Sequence, residues 1–172
     1  DKGASFGIAP VGLLALDIAR IEAGFILLDV DYISSLHTSI DGQKSTPYEL
    51  GLGWTVKINK SNFIGKQALQ DESNSTSLWK LCGIEVDWKS LEQYYRKLGV
   101  APALPDTAFR KSIPLYKNNI QIGYASSGCW SPLLKKYIAL AHIEAEYSKE
   151  HSLIDFEINV EHFKKLTPAI IT

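Results

Sequence analysis

The chain has 172 residues, 45% of them hydrophobic and 22% charged, with a formal net charge of -1. That length and composition suit one ordinary globular domain or two small ones with a real core. The near-neutral charge excludes a global field that would attract nucleic acid or an acidic membrane, so a small molecule or another protein is the expected partner. No apolar run approaches the roughly 18 residues that span a bilayer, and Asp1-Lys2-Gly3 leads into no signal-peptide core. Methionine is absent, including at position 1, which points to a piece of something longer or to a processed product.

The first expected element is a helix from Gly12 to Ala23, with apolar residues at Leu13, Leu14, Ile18 and Ile21 and Gly24 as its stop. Asp17 and Arg20 are spaced to pair on one face of it. Phe25 to Leu28 reads as a short buried strand, and Asp29 to Glu49 as polar and irregular, broken by Asp41-Gly42 and Pro47. Trp54 to Ile58 alternates like a half-buried strand. Ser61 or Asn62 is then placed to cap a short helix, Phe63 to Gln70, burying Phe63, Ala68 and Leu69. Asp71 to Ser77 is the most linker-like stretch, which sets a domain boundary there.

Beyond that boundary strands dominate. They are expected at Trp79 to Val86, Ile113 to Tyr116, Ile120 to Ala125, Tyr137 to Ile143, Ile154 to Val160 and Ala169 to Thr172. Lys117-Asn118-Asn119 marks a hairpin. One helix, Ser90 to Leu98, is capped by Ser90 and stopped by Gly99, and the segment holding Pro102 and Pro105 is irregular. About six turn-separated strands imply a small antiparallel barrel or sandwich.

Several chemical motifs are missing. There is neither a Gly-x-Gly-x-x-Gly nor a P-loop, and His37, His142, His151 and His162 never fall at helical metal-pair spacing, so no metal site is expected. Cys82 and Cys129 read as buried reduced thiols. Ser126-Ser127-Gly128-Cys129 has no assignable base for a nucleophile and reads as a tight turn between strands. Asp29 and Asp31 would repel on one face of a strand, but on a loop they are simply solvated. Trp54, flanked by Gly51 and Gly53, is either a core tryptophan or a flat surface for a flat ligand.

Four ordered segments together resemble one family. Gly12-Leu-Leu-Ala-Leu-Asp-Ile-Ala-Arg-Ile-Glu-Ala-Gly24 is similar to its Gly-Leu-x-Ala-Arg-Asp-x-x-Arg-Leu-Glu-Ala-Gly, and Thr46 to Trp54 to its Thr-Pro-x-Glu-x-Gly-Leu-x-Trp. Phe63-Ile-Gly-Lys-Gln-Ala-Leu69 follows at the expected place. Ile122 to Ala141 resembles its stretch around Thr-Ser-Gly-x-x-Ser-Pro. The family is that of the glycine cleavage T-protein, the aminomethyltransferases, and this chain resembles a C-terminal portion of a divergent branch.

The resemblance implies an α+β chain. Residues 1–75 would be the end of a mixed α/β folate-binding domain, and residues 76–172 a small antiparallel β-barrel domain. It implies tetrahydrofolate as cofactor and transfer of an aminomethyl or methyl group from a small amine or methylated donor. A carrier protein or a flavin oxidase is a further partner, and the location is the cytoplasm, or the mitochondrial matrix in a eukaryote. The catalytic carboxylate would lie outside these residues, in the family's N-terminal half. Within them, Trp54 matches the tryptophan lining the folate site, and Glu22 and Asp17 match family positions. The family's ligand-binding arginine aligns with Leu16, which cannot make a charge-assisted contact. Leu91 to Arg110 looks like an insertion. The alternative is a module that keeps the fold without transfer activity and partners a flavin amine oxidase or dehydrogenase.

Overall fold

A computed structural model of the chain describes residues 2–103 and 107–172. Six antiparallel strands close a barrel in the order β1-β4-β3-β2-β5-β6. The strands are β1 (Trp79–Val86), β2 (Ile113–Lys117), β3 (Ile120–Ser131), β4 (Lys136–Glu144), β5 (Leu153–Val160) and β6 (Phe163–Ile171). Three helices accompany them: α1 (Leu13–Glu22), α2 (Lys66–Ser73) and α3 (Trp88–Leu98). The expected α+β class with an antiparallel barrel is what forms.

The barrel follows from alternation. In β1 the residues Cys82, Ile84 and Val86 point inward, and the intervening positions are only partly covered. Ile84, Leu115, Ile122, Ile143, Phe156 and Ile171 fill the interior and are at most 1% exposed. The β2–β3 hairpin turns where the sequence signals it, with Asn118 and Asn119 both at positive φ (52° and 64°). Such a turn matches the twist of the flanking strands. Closing the sheet removes the edges on which strands aggregate.

Helix α3 seals part of the outside. Leu91 and Tyr95 pack on Val160, and the Trp88 ring meets Trp130 edge-on at 5.2 Å between centroids. The Tyr94 hydroxyl donates to the Leu166 carbonyl at 2.6 Å. Gly99 ends the helix at φ 69°, as expected, but the cap is Asp87, which accepts from the Lys89 N–H. Ser90 instead donates to the Asp87 carboxylate. Asp87 takes the cap because the helix starts one turn earlier than the apolar spacing implies. Of the expected irregular segment, Pro102 lies outside regular structure and Pro105 outside the described residues.

Four other expectations are corrected. Phe25 to Leu28 forms no strand, only a single bridge between Leu28 and Tyr32. Trp54 to Ile58 is no strand either: Gly53–Thr55 is a 3-10 turn. The short helix α2 begins at Lys66 after Gly65 at φ 85°, and it runs through Asp71 to Ser73, which were expected as linker. Ala68 is exposed on it, Leu69 is only half covered, and Phe63, also half covered, lies ahead of it. The last strand starts at Phe163 rather than Ala169; its first residues, including Lys164 and Lys165, are exposed, and its buried residues begin at Thr167. The expectation of two buried thiols holds, since Cys82 and Cys129 are both free and buried.

A buried ion-pair node and an exposed tryptophan

Helix α1 inverts the ordinary amphipathic pattern. Leu13, Leu14 and Leu16 are 57–81% exposed, and the buried residues of the helix are Asp17 and Ile21. Ile21 packs on Cys129 and Leu140 of the barrel wall. Asp17 faces the wall because two arginines meet it there: Arg20 Nε and Arg110 Nε each donate to its carboxylate at 2.9 Å. The expected pairing of Asp17 with Arg20 is present.

Arg20 then reaches across to Asp31, whose Oδ2 accepts from Nη1 at 2.6 Å. Asp31 is 2% exposed, so the expectation of a solvated loop carboxylate is overturned for it; Asp29, at φ 62°, stays on the surface. Asp31 Oδ1 accepts from the hydroxyls of Ser126 and Ser127, both at 2.6 Å, and its Oδ2 also accepts from the Leu27 N–H. The Asp31 carbonyl accepts from His142 Nε2 on β4. A buried carboxylate is tolerated when it is paired and its oxygens are satisfied, and every Asp31 oxygen is. Arg20 Nη2 alone is buried without a partner among the described residues.

Successive strand residues point to opposite faces, yet Ser126 and Ser127 both reach Asp31. A break in register between Ala125 and Ser127 explains this, since a bulge re-aims one side chain. The Ser126 to Cys129 stretch is therefore the interior of β3 and not a turn. It is buried on both faces, between the barrel interior and α1, which is why its residues are small. Burial, with the Glu22 carboxylate nearby, pushes the Cys129 thiol up to about 11, so it stays protonated and makes no nucleophile.

Burial alone would push the Asp17 carboxyl up, but the Arg110 and Arg20 guanidiniums outweigh it and hold it below the usual carboxylate range. A carboxyl lowered on folding adds stability that is complete above its unfolded pKa of about 4 and is lost as pH falls through the folded value. Urea midpoints of the native chain should therefore fall on acidification below about pH 4 more steeply than those of Asp17→Asn. Equal slopes would show that Asp17 contributes no linkage.

The two residues matched to the family's ligand site are apart. Glu22 accepts from the Ser131 hydroxyl at 2.5 Å and lines a cavity of about 490 Å³ between α1, β1 and β4. Trp54 does not line that cavity; it stands 76% exposed on its 3-10 turn. It is thus not a core residue. The turn that carries it needs Gly53, where a Cβ would lie 2.8 Å from the Tyr48 ring. Leu16, where the family has arginine, is 57% exposed on α1. Sequence reasoning missed Asp31, Arg110 and the serine pair as one node. The pairing spans about 100 residues of sequence, and only the Asp17–Arg20 spacing hinted at it.

Residues 96–172 match the family model described as the glycine cleavage T-protein C-terminal barrel domain. Over those residues the chain carries the glycine cleavage T-protein C-terminal barrel domain. An aminomethyltransferase of Prochlorococcus marinus (strain NATL2A) is 36% identical over 166 residues, covering 96% of this chain and 37% of that protein. One from Desulfitobacterium hafniense (strain DSM 10664 / DCB-2) is 36% identical over 171 residues, covering 99% and 40%. The T-protein-like chain thus spans about two fifths of the length of these curated relatives. The crystal structure of glycine cleavage system aminomethyltransferase T from Bartonella henselae shares the fold at a TM-score of 0.68 and 20% identity, over 94% of this chain and 38% of that one. The T-protein barrel here includes β1, which begins ahead of the matched residues. Among the described residues no helix is long and apolar enough to cross a membrane.

Proposed function

We propose that this chain supplies one wall of the tetrahydrofolate site of an aminomethyl- or methyltransferase acting on a small amine or methylated donor. The observation that carries the reading is the run of relatives named aminomethyltransferase that match nearly all of the chain. Residues 1–75 would complete a folate-binding domain and residues 76–172 form the barrel domain. The surface supports that division. Phe6, Ile8, Val11, Leu13, Leu14 and Trp54, all in the first part, are 61–84% exposed, a density of apolar side chains that a finished domain does not leave in water.

Tetrahydrofolate would supply the nitrogens that take up the one-carbon unit. Trp54 fits such a flat ligand, since its indole is open on one side and its turn is fixed by Gly53. Glu22 is the second residue assigned to the ligand: one oxygen accepts from Ser131 and holds the α1 terminus on the barrel, and the side chain also lines the cavity beside α1. Leu16 offers no charge to the ligand's carboxylates. The catalytic carboxylate is assigned outside these residues, and a carrier protein or a flavin oxidase is the further protein partner. The location would be the cytoplasm or the mitochondrial matrix.

The test is tetrahydrofolate binding by the full-length protein, with Trp54→Ala beside it. Losing one stacking face should weaken binding about tenfold. No saturable binding at about 1 mM tetrahydrofolate would sink the cofactor reading. Tight binding with no transfer from any amine offered would favour the module that has kept the fold and lost the activity, which the Leu16 replacement allows.

A further inference from the structure

The cavity of about 490 Å³ between α1, β1 and β4 carries side-chain charge of one sign only. Its size falls within the range of small-ligand sites. Leu50, Leu81, Leu134, Ile138 and Leu140 give it an aliphatic wall. Two titratable side chains line it, Cys82 and Glu22, and burial pushes the Cys82 thiol up, so it stays neutral. No lysine, arginine or histidine lines it among the described residues. The cations on the flanking elements are turned elsewhere. Arg20 pairs with Asp17 and Asp31, Lys136 pairs with Glu85 at 2.6 Å, and Lys80 alternates to the opposite face of β1 from Leu81.

Glu22 also stands where a carboxylate is disfavoured. It is the last residue of α1, and the carbonyl end of a helix repels a negative charge and attracts a positive one. Ser131 bonds one of its oxygens, and the other has no partner among the described residues. A bound ammonium would answer the carboxylate and the helix end together. Its carbon chain would leave water against the leucines of the wall.

We propose that this cavity binds an aliphatic ammonium ion, with the charged head at Glu22 and the chain along Leu81, Leu134 and Ile138. The inference rests on the transferase reading only in that it makes the small amine donor a cationic, aliphatic one. Its binding test does not depend on tetrahydrofolate, because Trp54 does not line the cavity.

Hexylammonium is the probe, titrated calorimetrically into the full-length protein beside 1-hexanol and hexanoate, which keep the chain and change the charge. The amine should bind about tenfold more tightly than the alcohol, as one charge-assisted contact implies, and hexanoate more weakly than either. Glu22→Gln keeps an acceptor for Ser131 and should bring the amine down to the affinity of the alcohol. Leu134→Ser, at a half-exposed side chain, should weaken amine and alcohol alike. Equal binding of amine and alcohol, tighter hexanoate, an unchanged amine affinity in Glu22→Gln, or no saturable heat up to about 20 mM amine overturns the proposal. Trp54→Ala separates the two readings. Amine affinity should hold there whatever happens to tetrahydrofolate, and a parallel loss would place the amine at Trp54 and overturn the cavity.

Discussion

Replacing Asp31 with alanine should lower the stability of the chain by about 3–5 kcal/mol, read as the shift in urea midpoint. The size follows from what the substitution strands. Arg20, 10% exposed, loses its shortest ion pair and is left facing a wall that admits little water. The Ser127 hydroxyl and the Leu27 N–H lose their acceptor together, each at a further cost for a buried unsatisfied donor, while the Ser126 hydroxyl keeps only its longer bond to the Leu140 carbonyl. A second substitution tests the account from the other side. With Arg20→Leu added to Asp31→Ala, no guanidinium is left facing the vacated carboxylate position, so the double variant should be more stable than the sum of the two single losses implies. Strict additivity would show that the two side chains act independently. A loss under about 1 kcal/mol for Asp31→Ala would show that the node is solvated and not buried.

The elements that sequence pattern located are those whose signal is local. Trp79 to Val86 alternates because one face of β1 meets the core, and the Asn118-Asn119 pair names its own turn. Gly99 stops α3 because only a left-handed residue follows there. What pattern missed was set by distant partners. The leucines of α1 suggested a buried stripe, but the barrel wall selected the opposite face, and Asp17 was drawn inward by Arg110 from 93 residues away. Small polar residues at 126–128 look like a turn, yet they are small because both faces of β3 are covered. The same holds for the candidate site. Trp54 was legible through its motif, but its 76% exposure was not, because burial depends on distant packing that a local motif does not encode.

Gly123→Ala should be the most disruptive single methyl in the barrel, destabilising by about 3 kcal/mol or more. Gly123 pairs with Ile143 across the β3–β4 ladder, and a Cβ built on it collides with the His142 carbonyl oxygen and meets the Ile143 Cα at 3.0 Å. Both obstacles are backbone, so relief requires the two strands to separate and no rotamer change helps. The cost would also reach the node, because His142 supplies the bond that holds the Asp31 carbonyl. Gly128→Ala meets the Phe109 ring at 2.5 Å, Ala139 Cβ at 2.7 Å and the Ile138 carbonyl at 2.7 Å. One of its three obstacles is a side chain that can rotate away, so its loss should be smaller than that of Gly123→Ala. Urea midpoints of the two variants give the order directly. The reverse order would mean that the β3–β4 ladder yields more readily than the packing around Phe109, and that strand pairing does not limit the stability of this barrel.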